Sequence, residues 1–526
     1  MKKITLVSSF IILGFFVFNV YKAEAVSSIP VEDQPSFSIA VGTKIYVNNY
    51  SSNNVSVIDA NTNRVIATIA VGTSPIYSVN IGTKVYVANY ISNDISVIDT
   101  ATDTVTTIIP VGINPHFLSV VGTKLYVCNS GSDSVSVIDS TADVVATTIP
   151  VGTVPWSSTL IAGSRLYVNN SASDNVSLID TNTDIVVNTI AVGFGPGYSI
   201  PVGMKVYVAN MTSNDISVID IFTDIVITTI GVGFTPNTPV LVGTKLYVSN
   251  LNSSDVSVID TTTDTILTTI PVGINPNFSI AVGTKVYVGN DTSNDVSVID
   301  TATDTVTSTI PVGARPLFST QVGTKLYISN YGSDDISIIN IPTDTLVVTP
   351  TVTTSNALAI TESTASLNGN IIDVGGENIS ERGFEYGLDT SYGLTVSESG
   401  SFSTGVFSLG ASSLACNTTY HYRAYATNSL DTGYGNDAEF TTESCVIASG
   451  GGGGAATPPP VVEPPVVPPA PEPTPAPAPI PAPEPIPTAP TPEPTSTPEP
   501  SSNPATDETT SSDSTIPPGG TSSTTT

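Results

Sequence analysis

Pairs of aspartates recur along the chain, and their type and spacing suit cation binding. In each pair the second aspartate follows the first by four residues, with Thr frequent between them. Two carboxylates across a tight turn could bind Ca²⁺, which prefers oxygen ligands. The alternative, which we favour, is a turn that every repeat needs, in which the side chain caps nearby backbone N–H groups. The pairs are Asp99 and Asp103, Asp139 and Asp143, Asp180 and Asp184, Asp220 and Asp224, Asp260 and Asp264, and Asp300 and Asp304.

Histidine is scarce, which limits the enzymes that this sequence could encode. The chain has 2 histidines, His116 and His421, and they fall in different segments. Zinc and copper centres built on clustered His or Cys are therefore not expected. A Ser-His-Asp triad would have to use His116, which stands where the other repeats carry unrelated residues. No phosphate-binding loop or dinucleotide fingerprint is present. We expect no catalytic residues, no metal site and no cofactor, with Ca²⁺ as the one open alternative.

These residues belong to a repeat of 40 or 41 residues, marked by a tyrosine between two apolar residues with Asn three positions after it. Each copy shows four runs rich in Val, Ile, Thr and Tyr, which favour strands. A Gly-Thr turn, a polar loop and the aspartate turn separate the runs, so we expect four antiparallel strands, named a to d. Such a unit has the size of a propeller blade, whereas the coils of a parallel β-helix are usually shorter. The tyrosines are Tyr46, Tyr86, Tyr126, Tyr167, Tyr207, Tyr247, Tyr287 and Tyr327.

The repeats resemble a known family. The segments Tyr86-Val-Ala-Asn89, Ser96-Val-Ile-Asp99 and Ile109-Pro-Val-Gly112 are similar to the YVTN β-propeller repeat of microbial surface proteins. The resemblance implies an all-β propeller domain over residues 26–349 and export to the cell surface. It implies little about activity, because propellers host many unrelated functions.

Eight copies of the repeat predict about eight four-stranded blades. The segment Ile29-Pro30-Val31 aligns with the end of a strand d and could close the ring by joining the last blade. The eighth copy is degenerate at its end, where Asn340 replaces the recurrent Asp. Seven blades therefore remain the alternative.

Residues 350–445 lose the repeat but keep strand-like runs. Glu381-Arg-Gly-Phe-Glu-Tyr-Gly387 and the segment around Tyr420 resemble bacterial fibronectin type III-like domains. The resemblance implies a β-sandwich with a tyrosine corner at Tyr420, serving as a spacer or, less favoured, as an adhesive module. Cys416 stands where such domains often carry Pro. Whether Cys416 pairs with Cys445 after export stays open.

The two ends of the chain have their own compositions. Residues 1–25 have a basic start, an apolar run and the small-x-small sequence Ala23-Glu24-Ala25, as a signal peptide does. An uncleaved anchor is the alternative, and after cleavage we expect no membrane span. Residues 446–526 are rich in Gly, Pro, Ser and Thr, which favours a disordered linker or stalk toward the cell envelope. The net charge of -30 argues against a nucleic-acid partner.

Differences between the copies mark where a ligand would bind. The d-to-a and b-to-c loops of a four-stranded blade emerge on one face, and they differ in size and charge while the strands stay nearly constant. Aromatic and Arg side chains are the usual anchors of binding surfaces. The aromatic residue two positions after each loop Pro, such as Phe37, is interpreted as packing of the innermost strand. The candidate ligand face comprises Tyr50, Tyr90, His116, Trp156, Arg315 and Tyr331.

The sequence thus predicts a secreted or cell-surface protein that is not an enzyme. Its role would be binding, adhesion or envelope structure, with a surface glycan or a protein as the partner. A propeller enzyme, lactonase-like or quinone-dependent, is one alternative. A purely architectural surface-layer (S-layer) component is the other.

Overall fold

The computed structural model describes residues 28–161 and 164–446. The predicted signal peptide and nearly all of the predicted C-terminal stalk lie outside the described residues. All described residues belong to one compact unit. The described residues form strands, turns and loops, and no helix among them could cross a membrane.

Eight antiparallel sheets follow one another along the chain, and strands a to d lie side by side in each. The a strands are Pro35–Val41, Pro75–Ile81, Pro115–Val121, Pro155–Ile161, Pro196–Val202, Pro236–Val242, Pro276–Val282 and Pro316–Val322. The b strands are Lys44–Asn49, Lys84–Asn89, Lys124–Asn129, Arg165–Asn170, Lys205–Asn210, Lys245–Asn250, Lys285–Asn290 and Lys325–Asn330. The c strands are Asn54–Asp59, Asp94–Asp99, Ser134–Asp139, Asn175–Asp180, Asp215–Asp220, Asp255–Asp260, Asp295–Asp300 and Asp335–Asn340. The d strands of the first seven sheets are Arg64–Ala70, Thr104–Pro110, Val144–Pro150, Ile185–Ala191, Ile225–Gly231, Thr265–Pro271 and Thr305–Pro311.

The sheets are the blades of a closed ring. The a strands of neighbouring blades contact one another around the axis, and the first blade contacts the eighth. Each blade has a neighbour on either side, so its b and c strands are buried on both faces. The core consists of layers between blades, as where Tyr86 and Val97 pack against Leu125 and Ile138 of the next blade. Burying one such aliphatic side chain contributes about 1.5–3 kcal/mol.

The eighth blade draws its outer strand from two distant parts of the chain. Thr345–Leu346 stands in the place of the first part of a strand d. It pairs with the end of strand c, in the register Ile339 to Leu346. The N-terminal Ile29–Pro30 stands in the place of the last part of that strand d. It pairs with the start of strand c, in the register Ile29 to Ile336. The same register joins Ile109 to Ile95 inside the second blade. The prediction of eight blades is confirmed, and the seven-blade alternative is wrong.

A two-sheet β-sandwich follows the propeller. One sheet contains Thr351–Leu358, Thr364–Asp373 and Gly405–Ser412, and the other contains Leu394–Phe402, Ile379–Gly387, Thr419–Thr427, Thr432–Tyr434 and Ala438–Thr441. Its core surrounds Phe384 and Tyr422. The backbone N–H of Ala415 donates a hydrogen bond of 2.9 Å to the hydroxyl of Tyr420. This is the contact expected of a tyrosine corner. Cys416 and Cys445 form a disulfide with their Cα atoms 5.1 Å apart.

The sandwich contacts the propeller where the ring closes. Leu430 packs on the apolar layer between the eighth and first blades. Asn63 donates its amide to the carbonyl oxygen of Ser429 at 2.8 Å. The carboxylate of Glu377 lies 3.6 Å from the Lys325 ammonium. Asn63 of the first blade and Lys325 of the eighth therefore both bind the sandwich.

Candidate functional site

The first aspartate of each c–d turn caps its own turn. Oδ1 of Asp99 accepts hydrogen bonds from the backbone N–H groups of Ala101 and Thr102, at 3.0 and 2.9 Å. These hydrogen bonds lower the pKa of the Asp99 carboxyl, and the bond from Thr102 has the largest effect. A carboxylate that accepts several N–H groups is stabilised in its charged form. The geometry favours the capping interpretation for this position.

The second aspartate joins two blades. Asp103 adopts the left-handed conformation, with φ 52°, which Asp and Asn tolerate better than most residues. Its carboxylate accepts a hydrogen bond of 2.7 Å from the Tyr46 hydroxyl of the preceding blade. The Lys44 ammonium of that blade lies 2.7 Å from the other carboxylate oxygen. The Asp103 carboxylate is therefore neutralised by a protein cation, which favours a structural role over Ca²⁺ binding at this position. We call this Lys–Tyr–Asp contact the inter-blade latch.

The inter-blade latch recurs around the ring. In seven blade pairs the Tyr hydroxyl donates to the Asp of the next blade at 2.5–2.8 Å. In the eighth pair the hydroxyl of Tyr327 donates to Oδ1 of Asn63 at 2.7 Å. Burial is the main cause of a raised pKa at Tyr86, and the hydrogen-bonded carboxylate of Asp143 raises the pKa further. The phenol therefore stays protonated and remains a hydrogen-bond donor. The recurrence of the tyrosine in every copy indicates a structural role, and the structure adds that its hydroxyl binds the next blade.

A cavity of about 650 Å³ opens on the axis at the face of the d–a and b–c loops. Four of the six predicted ligand-face residues line it, namely Tyr50, His116, Arg315 and Tyr331. Asn237 and Asn277 also line it, and they were not predicted. The amide of Asn237 donates to the carbonyl oxygen of Asn277 at 2.9 Å. Cavities of this size, with an apolar lining and a few polar groups, are typical of small-molecule sites. We call this cavity the mouth.

Aromatic rings from the innermost strands form much of the mouth. The ring centroid of Phe37 lies 4.1 Å from those of both Tyr77 and Phe318, and Phe117 lies 4.4 Å from Tyr77. Tyr198 and Phe278 also line the mouth. Burial raises the pKa of Tyr77 and of Tyr198, so both remain neutral phenols. These residues pack against one another on the inner strands, as interpreted, and they also line the cavity, which the sequence did not indicate.

His116, Trp156 and Tyr90 form a first cluster at the mouth. The His116 and Trp156 ring centroids lie 4.1 Å apart, and Tyr90 meets His116 edge-on at 6.4 Å. Nδ1 of His116 lies 2.9 Å from the carbonyl oxygen of Trp156, so that nitrogen carries the proton and donates. Burial lowers the pKa of His116, which makes the imidazole neutral near pH 7. Neither Trp156 nor Tyr90 lines the mouth itself; both reach it through their contacts with His116.

Arg315, Tyr331 and Tyr50 form a second cluster. The Arg315 guanidinium lies 4.9 Å from the centroid of the Tyr331 ring. Its Nε donates to a carboxylate oxygen of Asp291 at 3.1 Å. The Tyr50 and Tyr331 centroids are 6.5 Å apart. The structure therefore brings the six predicted residues together as two groups of three.

The loops at the mouth have a fixed backbone under variable side chains. Val154 and Arg315 precede their loop prolines with φ of 55° and 56°, a conformation that is uncommon for such residues. In each case the N–H donates at 2.9 Å to a side chain of the preceding blade, Asp133 or Asn294. The backbone strain is held in place by these bonds. Side chains at these positions can therefore change while their position on the face stays constant.

Exposed apolar residues surround part of the mouth and were missed by the sequence comparison. Phe194 and Phe234 occupy the same position in two consecutive d–a loops, and each is 62% exposed. Ile113 and Ile274 occupy that position in other loops and are also exposed. They stand one residue before the variable residue that precedes each loop Pro, which is Arg315 in the last d–a loop. Extending the comparison by one residue would have found them.

A second group of titratable side chains lies in the sandwich. Ligand atoms of His421, Asp437 and Glu439 lie within 4.8 Å of one another. Nδ1 of His421 is 2.9 Å from Asp437, while Nε2 is 3.4 Å from Glu439. The hydrogen bond to Asp437 is the main cause of a raised His421 pKa. Each ring nitrogen of His421 therefore faces its own carboxylate, which is the arrangement of an ion-paired imidazolium. The three side chains do not point at one common position, as metal ligands would.

Comparison with known proteins bears on the fold. No protein-family profile matches the chain, and no curated protein matches it in sequence. The designed protein Ika8 is similar in structure, with 9% identity over 60% of this chain and 98% of that chain and a TM-score of 0.52. Dihydro-heme d1 dehydrogenase NirN, a propeller protein, has 14% identity over 61% of this chain and 77% of that chain, with a TM-score of 0.50. The chain is a β-propeller protein. BamB from Moraxella catarrhalis is also similar, with 16% identity over 60% and 96% of the two chains and a TM-score of 0.47. At these identities the propeller fold is the conclusion, and the activities of the other proteins do not extend to this one.

Proposed function

We propose that this protein is a non-catalytic binding protein of the cell surface, and that it holds a sugar ring of a surface glycan in the mouth. The observation that carries the proposal is the mouth itself, a cavity of about 650 Å³ lined by eight Phe and Tyr rings. Two clusters with the Trp and Arg residues that anchor many interfaces border it. The constancy of the backbone and the variation of the side chains favour a surface shaped for a ligand.

The chemistry of the lining suits a carbohydrate. Sugar rings present apolar C–H faces, which pack on aromatic rings, and hydroxyl edges, which need hydrogen-bonding partners. The mouth supplies the partners through Ser36, Asn237, Asn277 and Thr238. A cavity with aromatic walls and a few placed polar groups binds and orients such a ligand.

A non-catalytic role is favoured by the groups that the mouth contains. Its lining residues include one His and no carboxylate or Cys. Glycoside hydrolysis ordinarily uses two carboxylates. The Nδ1 proton of His116 is donated to a carbonyl oxygen, and burial keeps its ring neutral. The set of groups supports binding better than proton transfer.

Display at the cell surface is supported by the ends of the chain and by the sandwich. The composition of residues 1–25 favours export. The disulfide between Cys416 and Cys445 fits an oxidising compartment. We infer that the sandwich is a fibronectin III-like spacer and that the Pro-rich segment extends it from the envelope.

A glycan and matrix-protein array tests the proposal. The full chain is expected to bind a subset of glycans, and Trp156→Ala should weaken this binding at least tenfold, since the indole packs on His116. The matched control is Phe222→Ala, because Phe222 is 73% exposed in a c–d turn on the opposite face. Thermal melting of each variant checks the fold. Absence of glycan binding, or equal losses in both variants, would contradict the proposal. Binding to matrix proteins alone would replace the glycan with a protein ligand.

A further inference from the structure

We infer that the glycan presents a sugar ring with a single acidic group, and that Arg315 binds this group at the edge of the mouth. The inference rests on the proposed function and names the ligand class of the same site. Carboxylate and sulfate share the chemistry that Arg recognises, namely an anion with adjacent oxygens that accept two N–H groups. The test below separates these two groups.

Arg315 is the one cationic side chain on this face among the described propeller residues. Seven blades carry Lys at the first position of strand b, and the fourth carries Arg165 there. Arg64 begins a strand d. These positions follow the a–b and c–d turns, which lie at the opposite end of the blades from the mouth. An anionic group that enters the mouth therefore meets one cationic side chain, whose Nε is ion-paired with Asp291 and whose terminal nitrogens face no other carboxylate within the described residues.

The structure holds the Arg315 side chain ready for a ligand. Its backbone N–H donates to Asn294 at 2.9 Å, and its carbonyl oxygen accepts from the N–H of Tyr331 at 2.9 Å. Nε donates to Asp291, and the guanidinium lies over the Tyr331 ring. No hydrogen bond from the two terminal nitrogens is found within the described ranges, and the side chain is 51% exposed. Little side-chain entropy would be lost when an anion binds these nitrogens.

The rest of the face selects against polyanions. Strand c begins with an aspartate just after the b–c loop in five blades, at Asp94, Asp215, Asp255, Asp295 and Asp335. Each accepts a hydrogen bond from the Asn that ends strand b of its own blade, at 2.6–2.7 Å. Within the described residues none of the five forms an ion pair. Unpaired carboxylates around the mouth repel a ligand with many negative charges, so one acidic group beside an uncharged ring fits best.

Matched sugars test the inference on the full chain. Equilibrium binding is measured for oligosaccharides of equal length that end in glucose, glucuronate or glucose 6-sulfate, and in galactose or galacturonate. At least one acidic sugar is expected to bind at least tenfold more tightly than its neutral partner. The carboxylate and sulfate arms show which anion is recognised. The preference should fall as salt rises.

Two substitutions decide whether Arg315 causes the preference. Arg315→Gln should weaken binding of the acidic sugar at least tenfold more than binding of the neutral sugar, so that the preference disappears. Arg315→Lys should keep part of the preference, because an ammonium supplies charge without the two-pronged geometry. Equal affinities of acidic and neutral sugars in the unmodified protein overturn the inference and leave the proposed function standing. So does an equal loss for both sugars in Arg315→Gln. If no sugar binds, the proposed function fails and the inference fails with it.

Discussion

The ammonium of Lys325 lies 3.6 Å from the carboxylate of Glu377, and this pair replaces an ion pair found between the other blades. In the first blade, Lys44 instead lies 2.7 Å from Asp103 of the second. The corresponding residue for Lys325 is Asn63, which accepts the Tyr327 hydroxyl but carries no charge. Glu377 of the sandwich therefore supplies the missing carboxylate where the ring closes.

Glu377→Gln should destabilise the propeller together with the sandwich. The substitution leaves the Lys325 charge, whose pKa burial lowers, without its counter-charge. We expect a loss of about 1–3 kcal/mol in the free energy of unfolding, measured with urea. Glu398→Gln is the control, because that carboxylate pairs with Arg382 at the surface of the sandwich and should cost about 0–1 kcal/mol.

A second substitution tests whether Glu377 supplies the carboxylate that is missing where the ring closes. Asn63→Asp in the Glu377→Gln background restores a carboxylate at the position that the other seven blade pairs use. It should recover part of the lost stability. Equal stability of Glu377→Gln and the unmodified protein, or no recovery in the double variant, would show that the charge at this joint is unimportant.

Tyr126→Phe should weaken one inter-blade latch without opening a cavity. The substitution removes the hydroxyl that donates to Asp184 at 2.5 Å and keeps the buried ring. Leaving a partly buried carboxylate without this donor should cost about 1–2 kcal/mol in urea unfolding. Tyr90→Phe is the control, because the Tyr90 hydroxyl has no hydrogen bond within the described structure. A change of the same size in both variants would mean that the latch adds nothing.

The thermal stability of the protein should fall at acid pH. The capping aspartates Asp99, Asp139, Asp220, Asp260 and Asp300 have lowered pKa values in the folded chain. A lowered pKa contributes stability that is complete above the unfolded pKa, about 3.9, and disappears as pH falls through the folded pKa. The Tm is therefore expected to change little between pH 7 and 5 and to fall below about pH 4. Asp99→Asn should reduce the acid slope, and an unchanged slope would exclude this turn as a contributor.

Removal of Ca²⁺ should leave the propeller unchanged. The Asp103 carboxylate already accepts the Tyr46 hydroxyl and pairs with Lys44. A bound ion that favours the folded state would raise the Tm in proportion to its concentration. We expect the Tm in excess EGTA and in millimolar Ca²⁺ to agree within about 1 °C. A Ca²⁺-dependent rise that Asp103→Asn removes would restore the cation interpretation of the turn.

The repeated pattern was sufficient to predict the propeller. Each blade repeats the same strand and turn signals, so eight copies determined the architecture, and Ile29-Pro30 matched a strand d closely enough to predict how the ring closes. The variation between copies also indicated loop residues such as Arg315 and Trp156, which the structure places on one face. Variation between copies is visible in a single sequence.

The contacts between copies could not be predicted in this way. Tyr46 and Asp103 are 57 residues apart and lie in different blades. Both residues recur, so comparing copies gives no indication of which blade partners which. At the second aspartate position of the turns Asn63 is the one exception, and its meaning depends on Glu377, which lies in another domain. The position of the sandwich on the ring follows from packing of Leu430 that no local pattern records.

The inter-blade latch also bears on how such a chain can change its length in evolution. Every internal blade carries a basic residue (Lys, or Arg165 in the fourth blade) and a Tyr for the blade after it, and an Asp for the blade before it. A duplicated or deleted 40-residue segment therefore leaves every internal contact matched. The two end blades are different. Their outer strand is built from two distant segments, and Glu377 supplies the carboxylate that Asn63 lacks, and each of these features occurs once. Copy number can grow or shrink inside the ring, while the closing blades and the sandwich must be inherited together.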